Sequence, residues 1–112
     1  MSAHTSLAAL ENAHDEAITA ARNQIEQADE HLSYYRSQIT RIQESFHEHA
    51  TRQGISEDPG FRIGLQRVTE ECEENVWQAS RMIAELDEDL QALATRHAQE
   101  REDFLENQRQ SG

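Results

Sequence analysis

No lysine occurs in this chain of 112 residues. All ten basic side chains are arginine, and they face twenty-two aspartates and glutamates, for a formal net charge of −12. Phosphate backbones and anionic lipid surfaces repel a chain so acidic, which argues against nucleic-acid binding and against a role on a membrane surface. Long apolar runs are missing too. The longest is Leu7 to Leu10, far short of the roughly 20 residues a helix needs to cross a bilayer. Met1 to Thr5 lacks a basic segment followed by an apolar one, so no secretory signal is expected. The single cysteine, Cys72, cannot form an internal disulfide, which suits a reducing cytoplasm. It sits between Glu70-Glu71 and Glu73-Glu74; neighbouring negative charge disfavours its thiolate, and a buried, inert thiol is the expectation. Only 36% of residues are hydrophobic and 5% aromatic. That is little from which to build a self-contained enzyme core, and there is no glycine-rich phosphate loop. No catalytic residues and no cofactor are expected.

What glycine and proline there are cluster in one place. Gly54 to Gly60 holds two of the four glycines and the only proline. Gly54 suits the left-handed residue that ends a helix, and Asp58-Pro59 reads as an N-cap with proline at the first helical position. The spacing predicts helix one over about residues 6–53, a turn at 54–58 and helix two over about 59–107, as one domain spanning 1–112. Ile18, Ala21, Ile25, Ala28, Leu32, Tyr35, Ile39, Ile42 and Phe46 follow alternating steps of three and four, which is a heptad seam. On the second segment Phe61, Leu65, Val68 and Cys72 open a seam that Val76, Ala79, Ile83, Leu86, Leu90, Leu93 and His97 continue. The two successive steps of four at Val68, Cys72 and Val76 predict a stutter there. Beyond Leu93 the seam weakens, and fraying is expected. A short turn makes the helices antiparallel neighbours. Folding about residue 57 sets Phe46 beside Val68, Tyr35 beside Ala79, Ala28 beside Leu86 and Ala21 beside Leu93. The fold class is therefore all-α: two long helices in an antiparallel coiled-coil hairpin, completed by a partner or by dimerisation.

A fainter stripe runs beside each seam, through Ala13, Ala17, Ala20 and Tyr34 on helix one and Trp77, Ala84, Ala98 and Leu105 on helix two. An isolated hairpin is short of core, so these flanks are candidates for docking against further helices. The expected partner-binding residues are Tyr34, Trp77, Ala84, Ala98 and Leu105, with Phe104 closing the end and Trp77 as the anchor. The partner class is a helical protein or a second copy of the chain, the latter giving a homodimeric four-helix bundle. Glu11-x-x-His14 and Glu44-x-x-His47 have the spacing of di-iron ligand pairs. They share one helix, however, roughly 50 Å apart, and helix two offers no equivalent, so no metal site is expected. His47 and His49 point about 200° apart on a helix. The histidines read as amphipathic side chains on or beside the seam, with titration near neutral pH open to them.

The architecture of breaker-free helix, compact Gly/Pro turn and second helix, over roughly Ala17 to Gln108, resembles the small helical-hairpin partner proteins of LXG-domain toxins in Gram-positive type VII secretion. These are distantly similar to WXG-type hairpins. The stretches Ile25 to Phe46 and Phe61 to Leu90 carry the resemblance. It implies a non-enzymatic, chaperone-like adaptor that binds a toxin's N-terminal helical region and helps target or stabilise it, in the cytoplasm or co-exported with it. Two features depart from the WXG pattern. The turn lacks Trp-x-Gly, its tryptophan lying inside helix two, and the aromatic-x-x-x-acid export signal is absent, since Phe104 is followed at that offset by Gln108.

Overall fold

A computed structural model describes residues 6–111. Two helices account for nearly all of them: α1 spans Leu7–Gln53 and α2 spans Pro59–Ser111. There is no strand among the described residues. The protein is an all-α antiparallel helical hairpin. No helix is long and apolar enough to cross a membrane among the described residues.

Local chemistry sets the ends. Ser6 caps α1, its hydroxyl accepting from the Ala9 amide at 3.1 Å. At the other end Gly54 takes φ +70°; the Gly54 amide donates to the Thr51 carbonyl at 3.2 Å and the Ile55 amide to the Ala50 carbonyl at 2.9 Å. This is the Schellman arrangement, which satisfies carbonyls the helix would otherwise leave open. The Asp58 carboxylate then caps α2 by accepting from the Phe61 amide at 2.9 Å. The helix ends expected from Gly54 and Asp58-Pro59 are the observed ones. The C-terminal end is not: α2 runs four residues past 107, to Ser111. Glu106 accepts from Arg109 at 2.8 Å and from Gln110 at 3.2 Å, which holds the last turn.

Along the surface of α2, glutamines do what lysines do elsewhere. Gln66–Glu70, Gln78–Glu74, Gln91–Asp87 and Gln99–Asp103 are all hydrogen-bonded across one turn, at 3.0–3.2 Å. Such pairs each stabilise a helix by about 0.2–0.5 kcal/mol. They let a 53-residue helix dense in carboxylates persist.

The described residues divide into two units, each built from one stretch of α1 and one of α2. The open-end unit comprises 6–27 and 84–111; the turn unit comprises 28–83. In the open-end unit Glu11 meets Arg101 at 2.8 Å, and in the turn unit Gln43 meets Thr69 at 3.3 Å. Both pairs are symmetrical about residue 56, within one residue of the pivot the sequence predicts. Among the described residues the buried apolar side chains are Leu10 in the open-end unit and Ala50 in the turn unit. Seam residues from Ile18 to Ile39 and from Val76 to Leu93 are half-buried, as expected of a two-helix seam.

Candidate docking surface

Towards the turn, the contact stripe leaves the course the heptads set. Ile42, Phe46 and Val68, expected in the seam, are 48%, 45% and 43% exposed. Gln43 and Thr69 stand half-buried in their place, hydrogen-bonded to each other across the helices. On α1 the covered positions run Tyr35, Ile39, Gln43, and on α2 Phe61, Leu65, Thr69. A step of four turns the stripe about 40° one way, whereas a step of three turns it about 60° the other. Two steps of four in succession therefore carry the stripe past Ile42 and past Val68. The stutter lies at Phe61–Leu65–Thr69 rather than at Val68–Cys72–Val76. Covering a lone amide or hydroxyl would be costly, but this pair satisfies itself.

The residues set aside form a patch. Ile42 comes two turns after Tyr35, and Val68 two turns before Asn75, so each points within about 20° of its counterpart. Tyr35 and Asn75 are joined by a hydrogen bond of 3.1 Å across the helices, which places Ile42 and Val68 on one flank; Phe46, three turns from Tyr35, shares it. Among the described residues, the eight exposed large apolar side chains all lie within the turn unit: these three with Tyr34, Ile55, Ile63, Trp77 and Met82.

The opposite flank of the turn unit is concave. A groove of about 530 Å³ has Ile39, Cys72 and Val76 in its floor, Trp77 at one lip, and Arg36 and Glu73 on its two rims. Trp77 is 57% exposed, with the Arg81 guanidinium 5.5 Å from its ring centroid. Cys72, expected to be buried, is half-buried here.

Of the residues expected to bind a partner, Trp77 lines this groove and Tyr34, although exposed, does not. Ala84, Ala98, Phe104 and Leu105 belong to the open-end unit, the alanines exposed and the other two half-buried. Sequence reasoning missed Ile42, Phe46 and Val68 as surface residues. The available signal was the polar pair Gln43 and Thr69, adjacent to seam positions and symmetrical about the turn.

The open-end unit is closed by polar chemistry instead. His14 and His97 stack face to face across the helices, ring centroids 3.9 Å apart and planes within 4°. His97 is buried, and its Nδ1 has no hydrogen-bond partner. His14 Nε2 meets Glu100 at 3.0 Å, and Arg96 lies 3.9 Å from the same carboxylate. Burial, then the charge of a protonated His14, pushes the His97 pKa down. The hydrogen bond from His14 holds the Glu100 pKa down, and the bond to Glu11 raises that of Arg101. The Glu11-x-x-His14 pair is thus taken up by contacts with α2. Glu44, His47 and His49 are exposed. Among the described residues no group of three His, Cys, Asp or Glu side chains could hold a metal ion.

In comparisons with known proteins, the chain matches no family model, no curated protein and no solved structure.

Proposed function

We propose that this protein is a non-enzymatic helical adaptor whose turn unit packs against another helical protein. The observation that carries the reading is the segregation of exposed apolar side chains: among the described residues all eight large ones fall between residues 28 and 83. Scattered surface apolars need no explanation, but a concentration on one region marks an interaction site.

Following the resemblance in its sequence, the partner is the N-terminal helical region of an LXG toxin, and the role is to stabilise or target that region for type VII secretion. The test is co-expression with that toxin region, followed by size-exclusion chromatography with light scattering. The expected product is a stable one-to-one complex that Phe46→Glu dissociates. A concentration-independent homodimer that ignores the toxin region would replace this reading with a self-assembled four-helix bundle.

A further inference from the structure

We infer that the stacked imidazoles of His14 and His97 form a proton-operated latch on the open-end unit. The stack stays closed with one proton or none; the second proton parts the helices there and uncovers Leu10. The inference is independent of what the turn unit binds.

The geometry admits one charge and refuses two. The rings lie face to face, centroids 3.9 Å apart and planes within 4°, so neither water nor a counter-ion can stand between them. A first proton has a place on His14, whose Nε2 lies 3.0 Å from Glu100; a cationic imidazole gains a charge-assisted hydrogen bond there. The second must go to His97, where no acceptor awaits it. That ring is buried and its Nδ1 has no hydrogen-bond partner. Neutral, His97 can keep Nδ1 bare; protonated, it carries N–H on both nitrogens. The result is a buried, unpaired donor and a second positive charge 3.9 Å from the first.

The surroundings do not compensate. Burial disfavours a charge on His97 most, then His14 across the gap on α1; on α2 Glu100 favours the charge and Arg96 opposes it. Glu11 and Arg101, nearer the helix ends, are engaged with each other at 2.8 Å. Leu10 precedes His14 by one turn on the same face of α1 and is 3% exposed, so parting the helices delivers an apolar side chain to water. In the turn unit His31, His47 and His49 are exposed, and a charge on any of them stays in water.

The experiment uses the full chain with Cys72→Ala and pairs of nitroxide labels at exposed positions. Glu16→Cys with Ala98→Cys spans the open-end unit, and Glu44→Cys with Arg67→Cys spans the turn unit. Pulsed dipolar spectroscopy gives the distances; imidazole NMR follows the His97 ring, identified by its loss in His97→Gln. Between pH 7.5 and pH 5 the open-end distance should lengthen and broaden while the turn distance holds. His97 should take up its proton with the same midpoint as the lengthening. In His97→Gln the open-end distance should keep its pH 7.5 value down to pH 5. If that variant is already parted at pH 7.5, Glu100→Gln decides instead. It keeps both rings and withdraws the carboxylate that holds the first proton, so the opening midpoint should rise by about half a pH unit or more. Lengthening of both distances together, or a midpoint in the carboxylate range at about pH 4, would overturn the inference. So would a His97 that titrates while the distance stays fixed, an undiminished opening in His97→Gln, or an unmoved midpoint in Glu100→Gln.

Discussion

The two units are built from the same two helices and closed by opposite means. The open-end unit carries twelve acidic side chains against four arginines, and none of the eight exposed large apolar residues. Beyond the seam both units share, its cross-helix contacts are a pair of stacked imidazoles, the His14–Glu100 hydrogen bond and the Glu11–Arg101 ion pair. The turn unit carries ten acids against six arginines and all eight apolar residues, held across the helices by two neutral hydrogen bonds. One end closes through polar side chains, with the His97 Nδ1 left unpartnered, and presents charge to water. The other leaves apolar surface uncovered, which is what a docking region requires and a free monomer does not.

The largest expected effect tests what both units share. Leu32→Asp places a carboxylate in the half-buried seam of the turn unit. An unpaired charge there should cost about 3 kcal/mol or more, lowering the melting temperature by about 10 °C or more. Thermal unfolding followed by circular dichroism would show it. Phe46→Glu, on the uncovered patch, is the contrasting substitution: the melting temperature should move by only about 2–4 °C, since little is buried to lose. Its effect should appear in partner affinity, which should fall at least tenfold, about 1.4 kcal/mol. Were Phe46→Glu to unfold the protein as Leu32→Asp does, the patch would be core and the contrast between the units would collapse.

Acid should loosen the open-end unit. His97 has a folded-state pKa below its ordinary value of 6.5, so below that pH the unfolded chain takes up a proton the folded protein refuses. Stability therefore falls as pH drops from about 6.5 through the lowered folded value, and levels off beneath it. Glu100, held below its ordinary 4.5, adds a second loss as pH falls from about 4.5 through its folded value. Hydrogen exchange at pH 7 and pH 5 should show opening around His14 and His97 while protection around Gln43 and Thr69 holds. His97→Leu, which removes the orphaned Nδ1, should gain about 1 kcal/mol at pH 7 and flatten the loss between pH 7 and 5. A uniform acid response across both units would show that the imidazole stack is not its origin.

How much of this the sequence discloses depends on which helix face a residue sits on. Gly54, Asp58 and Pro59 act through their own backbone geometry, so the turn and its caps are legible without the fold. From Ile18 to Ile39 one face of α1 carries the branched apolar residues, and the heptad count finds it. From Ile42 to Phe46 two faces compete, and the choice is made across the gap, where Gln43 finds Thr69; a count along one helix cannot see that. His14 and His97 fail for a related reason. Each alone is an ordinary amphipathic residue, and only antiparallel pairing about residue 56 brings the rings together. The exposed apolar surface was legible in part: Trp77 lying off the seam follows from its offset, whereas the Ile42 patch is exposed because the seam moves away from it.

The smallest effect bears on the cause of that movement. If the Gln43–Thr69 pair directs the seam, removing both partners should leave stability nearly unchanged and alter which side chains are covered. The bond is long, at 3.3 Å, and half-buried, so its net contribution should sit at or below the usual range of about 0.5–1.5 kcal/mol. Gln43→Leu alone leaves the Thr69 hydroxyl to find water, and Thr69→Val alone does the same to the Gln43 amide; each should cost about 0.5 kcal/mol. The double variant should recover most of both losses, giving a coupling of about 1 kcal/mol in a double-mutant cycle on urea unfolding. With two apolar residues in place of the pair, the leucine introduced by Gln43→Leu would compete with Ile42 for the seam. An Ile42→Cys probe in a Cys72→Ala background should then react with thiol reagents at a different rate from the same probe beside the intact pair. Unchanged reactivity alongside the expected coupling would mean that backbone geometry at the Gly54 turn sets the seam, with the polar pair accommodating it.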